Sequence, residues 1–286
     1  MKNVEFFDRD HFEYNFHRRK AIAPLDSYID FFWETRFEHL WSEQEHFTDL
    51  LFPNVGYTYM INLGTPFGIQ LDNDVPMQIR TDAVIPRYRN ISTYIKKGNH
   101  IFGIKFTISP NLLEKNIDFS EYMNMPHSLA YLINTDTLRT IKSADNFNER
   151  VSIATAYYRR LVHQYEAEAL QVKMVKNILA EIKATGNWNK TVSEIATQHG
   201  VDVRTLQRYF ETTTSISTKQ AIQMLKIRRA IASYIESPHT FYIESFGFYD
   251  RSHFYKQMNA FFEGHPGFEK SKYLPMLHRS PVKIRY

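Results

Sequence analysis

The segment TVSEIATQHGVDVRTLQRYF, residues 191–210, decides the fold of the second half of the chain. Thr191 and Glu194 have the spacing of a capping box, in which each side chain binds the other's free backbone N–H at a helix start. Gly200 stands where that helix must end, because glycine accepts the positive φ of a helix C-terminus. Asp202 has a side chain that can cap a following helix. The segment therefore predicts two short helices joined by a tight turn.

The second predicted helix has one apolar face and one polar face. Leu206 and Phe210 are four residues apart, so their side chains point the same way. The outward face carries four candidate DNA contacts: Arg204, Thr205, Gln207 and Arg208. Arginine pairs with guanine and glutamine with adenine in the major groove, while threonine contacts phosphate or a thymine methyl group. The alternative for this unit alone is a helical hairpin with a solvated charged face.

The same layout recurs in FYIESFGFYDRSHFYKQM, residues 241–258. Gly247 takes the turn position, Asp250 can cap the second helix, and Phe254 and Met258 point inward. The outward face carries four further candidate DNA contacts: Arg251, Ser252, His253 and Lys256. Two such units in one chain predict a protein that binds duplex DNA.

A long helix is predicted between the two units, from Thr218 to about Glu236. Ser217 and Gln220 form another capping box at its start, and Pro238 marks its end. A rigid helix of this length can hold two DNA-reading units about one turn of DNA apart, roughly 34 Å.

Residues 173–270 resemble the DNA-binding domain of the AraC/XylS family of bacterial transcription regulators. The motifs that carry the resemblance are V-x-x-x-T-L-Q-R-Y-F from Val201, L-K-I-R-R-A from Leu225, G-F-Y-D-R-S-H-F from Gly247 and the pair His265-Pro266. The resemblance implies seven helices and two helix-turn-helix units in adjacent major grooves. It leads to the hypothesis of a sequence-specific transcription factor that binds promoter DNA and contacts RNA polymerase.

The sequence departs from the family pattern at four positions. Ser215 and Glu263 stand where a glycine is usual, Ile243 replaces a small residue, and Met258 replaces an aromatic residue. The link from Ala230 to Gly247 is also about two residues shorter than the family pattern. Three of the departures thus lie in or before the second unit, so its packing is expected to be less regular. The first unit is therefore expected to carry most of the sequence discrimination.

Charge divides the chain into two parts. Residues 173–286 hold 17 Lys and Arg against 9 Asp and Glu, a net charge of +8, whereas residues 1–172 hold 18 against 22, a net charge of −4. Attraction to phosphate favours a basic DNA-binding half. The predicted domains are 1–168 for regulation, effector binding or dimerisation, 169–275 for DNA binding, and 276–286 as a basic tail.

The first 110 residues predict a β-rich domain, because short β-branched and aromatic runs alternate with Pro, Gly, Asn and Asp. The candidate strands are Tyr57–Leu63, Met77–Arg80, Ala83–Ile85, Ile91–Ile95 and Ile101–Ile108. Helical patterns follow at Asp136–Ser143 and Asn148–Glu168. The predicted fold class is α+β, with a barrel-like or cupin-like N-terminal domain that includes helices. The C-terminal domain is predicted to be all-α with two helix-turn-helix units.

Two features of this N-terminal half bear on its partners. The aromatic clusters Phe6-Phe7 and Phe31-Phe32-Trp33 are candidate walls of an effector pocket, with core packing as the alternative. The helical stripe between Phe147 and Val162 is interpreted as core packing onto the sheet, with a dimer helix pair as the alternative. A small-molecule effector and a homodimer are therefore candidate partners.

Several kinds of site and of protein are not expected. His39, His46 and His100 match no metal-ligand spacing, so neither a metal nor a cofactor is predicted. The absence of cysteine excludes disulfides, thiol catalysis and cysteine-based zinc sites. The first residues lack the apolar core of a signal peptide, and no run approaches the roughly 20 apolar residues that cross a bilayer. A cytoplasmic protein without membrane association is therefore expected.

No enzyme is predicted, and no catalytic residues are assigned. The chain has no phosphate-binding glycine loop, no G-x-S-x-G and no H-E-x-x-H motif. The alternative function is a helical protein-interaction module attached to a small-molecule-binding or enzymatic β-domain.

Overall fold

The computed structural model describes residues 15–37, 46–115, 117–122, 125–166 and 169–262. The protein is α+β, with its strands in the N-terminal half and its long helices after residue 134. Several features of the sequence analysis lie outside the described residues: the basic tail 276–286, Glu263, His265-Pro266, His39 and Phe6-Phe7.

Two antiparallel sheets make up the N-terminal half. The strands are β1 Phe16–Lys20, β2 Ile29–Arg36, β3 His46–Leu51, β4 Tyr57–Asn62, β5 Phe67–Leu71, β6 Met77–Ile79, β7 Ala83–Pro86, β8 Ile91–Lys96, β9 His100–Phe106 and β10 His127–Ser128. One sheet has the order β1-β2-β9-β4-β7-β10 and the other β3-β8-β5-β6. The five strand predictions are confirmed, with small shifts at their ends.

Strand alternation gives the larger sheet two apolar faces, because successive side chains point to opposite sides. Met60 and Ile101 pack against the smaller sheet, in a cluster with Phe67 and Ile91. Their neighbours Tyr59, Ile61, Phe102 and Ile104 belong to the main core on the other face. The two sheets therefore pack face to face, as expected of a barrel-like domain, and the helices cover the outer face of the larger sheet.

The helices are α1 Asn111–Glu114, α2 Thr135–Ser143, α3 Phe147–Tyr165, α4 Leu170–Thr185, α5 Val192–Gln198, α6 Val203–Thr214, α7 Thr218–Glu236 and α8 Arg251–Phe262. Short 3-10 turns occur at 25–27, 119–122, 129–131, 238–240 and 243–246. The predictions of α2, α3 and α7 are confirmed to within a few residues. Among the described helices, none has the length and apolar content needed to span a membrane.

Helix α3 packs its apolar stripe onto the sheet. Val151, Ala154, Tyr158 and Leu161 are buried in the main core, and the Tyr158 ring meets Phe106 of β9 edge to face at 5.3 Å. The core interpretation of this stripe is therefore confirmed. Since these side chains are covered within the chain, they do not offer the dimer surface considered as the alternative.

The main core also continues into the predicted DNA-binding half. It includes Val175 and Leu179 of α4, Leu206 and Phe210 of α6, and Leu225 of α7. A further cluster joins the end of β3 and the residue after it to the last helices, with members Leu50, Phe52, Ile227, Ile231, Phe254, Met258 and Phe261. The two halves thus share apolar packing. The division of the chain at residue 168 stays a prediction.

A buried charge cluster adds a polar connection between the halves. Lys105 is fully buried, and its Nζ donates to the carbonyl oxygens of Val55 at 2.6 Å and Phe106 at 2.5 Å. Asp30 Oδ2 lies 3.5 Å from this Nζ, and Lys183 Nζ of α4 lies 3.6 Å from Asp30 Oδ1. Burial would raise the pKa of Asp30, but Lys183 and Lys105 hold it below its usual value. Burial lowers the pKa of Lys105 to about 7, although Asp30 opposes this shift.

The lowered pKa of Lys105 predicts a measurable pH dependence. Between about pH 7 and pH 10 the unfolded chain keeps a proton on this lysine that the folded protein has lost, so stability rises with pH. The free energy of unfolding of the wild type should rise between pH 7 and pH 9 more steeply than that of Lys105→Met. The difference in slope is up to about 1.4 kcal/mol per pH unit.

Urea titrations at pH 7, 8 and 9 measure these slopes. Lys142→Met is the matched control, because Lys142 forms a surface ion pair with Asp82, away from this cluster. It should keep the wild-type slope, and equal slopes for wild type and Lys105→Met would contradict the prediction.

Candidate nucleic-acid interface and ligand cavity

The first helix-turn-helix unit forms as its sequence predicts. Thr191 Oγ1 accepts from the Glu194 N–H at 3.2 Å, and Glu194 Oε2 accepts from the Thr191 N–H at 2.7 Å, which completes the capping box of α5. Gly200 has φ +67 in the turn. Asp202 Oδ1 then accepts from the Thr205 N–H at 2.8 Å and starts α6. Hydrogen bonds from Thr205 lower the pKa of Asp202, so this cap is charged at neutral pH.

Helix α6 presents its two arginines to solvent. Leu206 and Phe210 are completely buried, whereas Arg204 and Arg208 are exposed and lie four residues apart on the opposite side. Thr205 and Gln207 are half-buried, and each has an intrahelical partner. The Thr205 hydroxyl donates to Asp202 Oδ2 at 2.7 Å, and Gln207 Nε2 donates to Glu211 Oε1 at 2.8 Å. The two guanidinium groups are therefore the most accessible of the four predicted contacts.

The end of α6 is anchored in the β-domain. Ser215 follows the helix with φ +64, a left-handed conformation that costs a residue with a Cβ roughly 1–2 kcal/mol. Its buried hydroxyl bonds to the Tyr57 hydroxyl of β4 and donates to the Phe119 carbonyl oxygen. These contacts offset the strain at the position where the family resemblance leads one to expect glycine. They also fix the end of α6 to strand β4 and to the 3-10 turn at 119–122.

The second unit keeps the predicted turn and second helix but shortens the first helix. Only a 3-10 turn, Ile243–Phe246, precedes Gly247, which has φ +68. Asp250 Oδ1 accepts from the His253 N–H at 2.7 Å and caps α8. The first helix is short because ten residues separate α7 from Gly247, and the 3-10 turn Pro238–Thr240 uses three of them. The described C-terminal half thus has five α-helices and two 3-10 turns where the resemblance implies seven helices.

The outward residues of α8 have mixed surroundings. Ser252 and Lys256 are exposed, His253 is half-buried, and the side chain of Arg251 lies outside the described part. His253 Nε2 lies 2.6 Å from Gln257 Nε2. His253 and Lys256 line a cleft whose other walls include Pro53 and Tyr88 of the β-domain. Two of the second set of predicted contacts therefore lie along a cleft beside the β-domain.

Two residues of this region were not among the predicted contacts. Tyr249 precedes the cap of α8 and is 90% exposed, and its ring lies 5.9 Å from the His253 ring. Lys226 of α7 is buried beside the turn at Gly247. Because Tyr249 directly precedes the N-cap residue Asp250, its place at the start of α8 was readable from the sequence. Lys226 lies in L-K-I-R-R-A, but only the fold reveals which backbone group it meets.

The N-terminal half contains a cavity between its two sheets. This cavity has a volume of about 50 Å³, and it is lined by Phe16, Arg18, Phe31, Trp33, Thr35, Asp49, Leu51, Thr58, Met60, Arg87, Thr93, Ile95 and Ile101. The predicted cluster Phe31-Phe32-Trp33 divides: Phe31 and Trp33 line the cavity, while Phe32 enters the main core. One face of β2 thus lines the cavity and the other packs in the core, while the role of the cavity in effector binding stays a prediction.

Two buried ionisable side chains lie in the cavity wall among the apolar residues and threonines. Asp49 is 2% exposed and Arg87 is 3% exposed. Arg87 donates to Thr58 Oγ1 and to the Phe52 carbonyl oxygen, both at 3.2 Å. The cavity is thus mainly apolar with polar groups held in place at one side.

Of the three histidines considered for metal binding, the structure describes the side chain of His100 alone. His100 Nε2 lies 2.9 Å from Glu34 Oε1, and Arg150 lies 3.1 Å from Glu34 Oε2. Within the described ranges, no group of three or more His, Asp or Glu side chains is placed to hold a metal ion. His39 and the side chain of His46 are not described.

In overall fold the chain is similar to two regulators of known structure. A 1.65 Å structure of ToxT from Vibrio cholerae has 13% identity and a TM-score of 0.42, over 92% of this chain and 99% of that one. The AraC-like transcriptional activator CuxR has 12% identity and a TM-score of 0.33, over 79% of this chain and 90% of that one.

Another ToxT structure contains a bound unsaturated fatty acid, with 11% identity, a TM-score of 0.41, and 87% of this chain and 92% of that one covered. No family model and no curated protein matches the chain. At these values the similarities carry no weight for function, which rests on the chain's own residues.

The turn of the first unit gives a direct test of its geometry. Gly200→Ala should destabilise the protein by about 1–2 kcal/mol, because alanine is strained at positive φ. A Cβ at this position meets no atom within 4 Å, so strain is the only cost expected. Gly200→Asn is the control and should cost less, since asparagine tolerates this conformation. Chemical denaturation measures both, and equal costs would contradict the assigned turn.

Proposed function

We propose that the chain is a sequence-specific DNA-binding transcription regulator of the AraC type, controlled by its N-terminal β-domain. The observation that carries the proposal is the pair Arg204 and Arg208, exposed on a capped helix that follows a tight turn. Arginine is the side chain that most often makes specific contacts in the major groove, through guanine O6 and N7. The net charge of +8 on residues 173–286 supports attraction to the phosphate backbone.

The proposed roles follow from exposure and chemistry. Arg204 and Arg208 contact guanine edges, and Thr205 contacts phosphate or a thymine methyl group. Gln207 contacts adenine after exchanging its Glu211 partner. In the second unit, Ser252, His253 and Lys256 take the corresponding outward positions, with Arg251 assigned from sequence alone. Since His253 and Lys256 lie along a cleft, the first unit carries most of the base discrimination.

The proposal includes partners beyond promoter DNA. A transcription regulator acts on RNA polymerase, and a bacterial one does so in the cytoplasm. A homodimer fits a palindromic promoter, because half-site symmetry mirrors protein symmetry. None of these roles requires catalytic residues, a cofactor or a metal.

Binding to promoter DNA is tested by a mobility shift in excess competitor DNA. The promoter fragments upstream of the chain's own gene and its neighbours are compared with random duplex of equal length. Preference for one native fragment supports the proposal. Equal affinity for every duplex would contradict it, and loss of all DNA binding would favour the protein-interaction module instead.

Arg208→Ala should weaken specific binding by roughly 1–3 kcal/mol and relax the preference at one base pair. The cause is loss of a bidentate contact to a base edge. Arg139→Ala is the matched control, because Arg139 is an exposed arginine of α2 in the β-domain. Binding selections on a randomised site measure both variants. An Arg208→Ala logo identical to the wild-type logo would contradict the base contact.

We also propose that the cavity between the sheets binds a small-molecule effector. Its apolar and aromatic walls suit an apolar body, and its buried polar groups suit one polar end. A thermal-shift screen of apolar acids, amines and neutral compounds should find a ligand that raises the Tm. Met60→Trp should abolish that rise by filling the cavity, and Val75→Trp, at an exposed site, should not.

A Tm rise that survives Met60→Trp would place the ligand elsewhere. The absence of any rise across the screen would contradict the effector assignment. Neither result bears on the DNA-binding proposal, which the mobility shift tests separately.

A further inference from the structure

Gly247, in the turn of the second unit, is contacted by side chains from two other elements. The first is Lys226 of α7, which is 8% exposed and whose Nζ donates to the Gly247 carbonyl oxygen at 2.6 Å. The same Nζ lies 4.2 Å from the centre of the Phe248 ring, within cation–π range. A buried ammonium group is costly unless such partners stabilise it. Lys226 therefore contacts both the carbonyl group of Gly247 and the ring of Phe248, the next residue.

The second contact comes from the segment that leads into the first unit. The Asn189 amide lies so close to Gly247 that a Cβ there would be 2.2 Å from Asn189 Oδ1 and 2.6 Å from its Cγ. Asn189 follows Trp188, which is buried in the main core, and comes two residues before the Thr191 cap. The entry to the first unit thus lies against the turn of the second.

The two turn glycines differ in how closely other residues approach them. Gly200 and Gly247 have nearly the same φ, +67 and +68. A Cβ at Gly200 would meet nothing within 4 Å, whereas one at Gly247 would overlap Asn189. The first turn requires glycine for its conformation alone. The second also requires it so that another part of the chain can approach.

The second unit needs an external support because its own first helix is short. In the first unit, α5 buries Ile195 and Ala196 beneath α6 and so sets the direction of that helix. In the second, the 3-10 turn Ile243–Phe246 buries none of its residues completely, and only Ile243 and Phe246 pack partly against the apolar cluster of the last helices. Gly247 lies three residues before Asp250, the cap of α8, so whatever fixes this turn also fixes the start of the recognition helix.

We infer that Lys226, Asn189 and Gly247 form a joint that fixes the second recognition helix relative to the first. The inference rests on the proposed DNA-binding function. A fixed second helix would require the two half-sites of the DNA to lie at one fixed separation. Lys226 and Asn189 are positioning residues in this scheme, because they act through the turn and need not touch DNA.

The test measures affinity against DNA sites in which the two half-sites are moved apart or together by one or two base pairs. Wild type should lose about tenfold or more in affinity on the altered sites, comparable to a mismatched base pair. Lys226→Met removes the hydrogen bond and the charge but keeps the side-chain length. It should bind the original site more weakly and tolerate the altered separations. Lys226→Arg, which retains a cationic donor, should behave like wild type.

Hydroxyl-radical footprints add a readout that a general loss of stability would not produce. Lys226→Met should lose protection over the second half-site and keep it over the first. Equal weakening of both halves, or unchanged discrimination between separations, would overturn the joint. A wild type that prefers no DNA sequence would instead overturn the proposed function, so the two failures are distinguishable.

A pair of glycine substitutions keeps the inference testable if Lys226→Met fails to fold. Gly247→Ala should weaken protection of the second half-site, and Asn189→Ala in the same chain should restore part of it by removing the overlap. Gly200→Ala is the matched control for strain at positive φ, and Asn189→Ala should not rescue it. Equal effects of Asn189→Ala on both alanine variants would overturn the joint.

Discussion

The packing of the helical half onto the larger sheet is the interaction on which the rest of this structure depends. Helix α4 places Val175, Ile178 and Leu179 in the same core as the strands and as the inward residues of α6. Polar contacts fix the orientation of the helices on the sheet, because apolar burial is not directional. Lys183 meets Asp30, and Arg228 of α7 donates to the Phe52 and Pro53 carbonyl oxygens at 3.3 and 3.1 Å.

This packing gives the two helix-turn-helix units different kinds of support. The first unit has two capped helices and its own buried pair, and Ser215 bonds its end to Tyr57 of the β-domain. The second unit has one complete helix. It depends on α7 through Lys226, on the entry segment through Asn189, and on the β-domain through Phe52, whose ring lies 5.7 Å from that of Phe261. A change in the β-domain therefore has a direct physical route to both units, through Ser215 to the first and through Phe52 to the second.

Features that depend on neighbouring residues were predictable. The capping boxes at Thr191 and Ser217, the caps at Asp202 and Asp250, and the positive φ of the turn glycines each need only a few residues of sequence. Strand β5 was missed because Phe67–Leu71 is short and has Gly68 inside it, a weak signal without its neighbours β6 and β8. The short first helix of the second unit was missed because the 3-10 turn Pro238–Thr240, which takes three of the ten residues between α7 and Gly247, was not predicted.

The sequence by itself determined the α+β class, the positions of α2, α3, α6 and α7, and which residues of α6 point outward. Periodicity and caps are local, and they act before any long-range contact forms. Only the tertiary structure decided that Phe31 and Trp33 face a cavity while Phe32 faces the core, that Ser215 bonds to Tyr57, and that Lys226 meets Gly247. Residues far apart in the chain make these contacts. The paths of the sheets and helices bring them together, and no short segment of sequence specifies those paths.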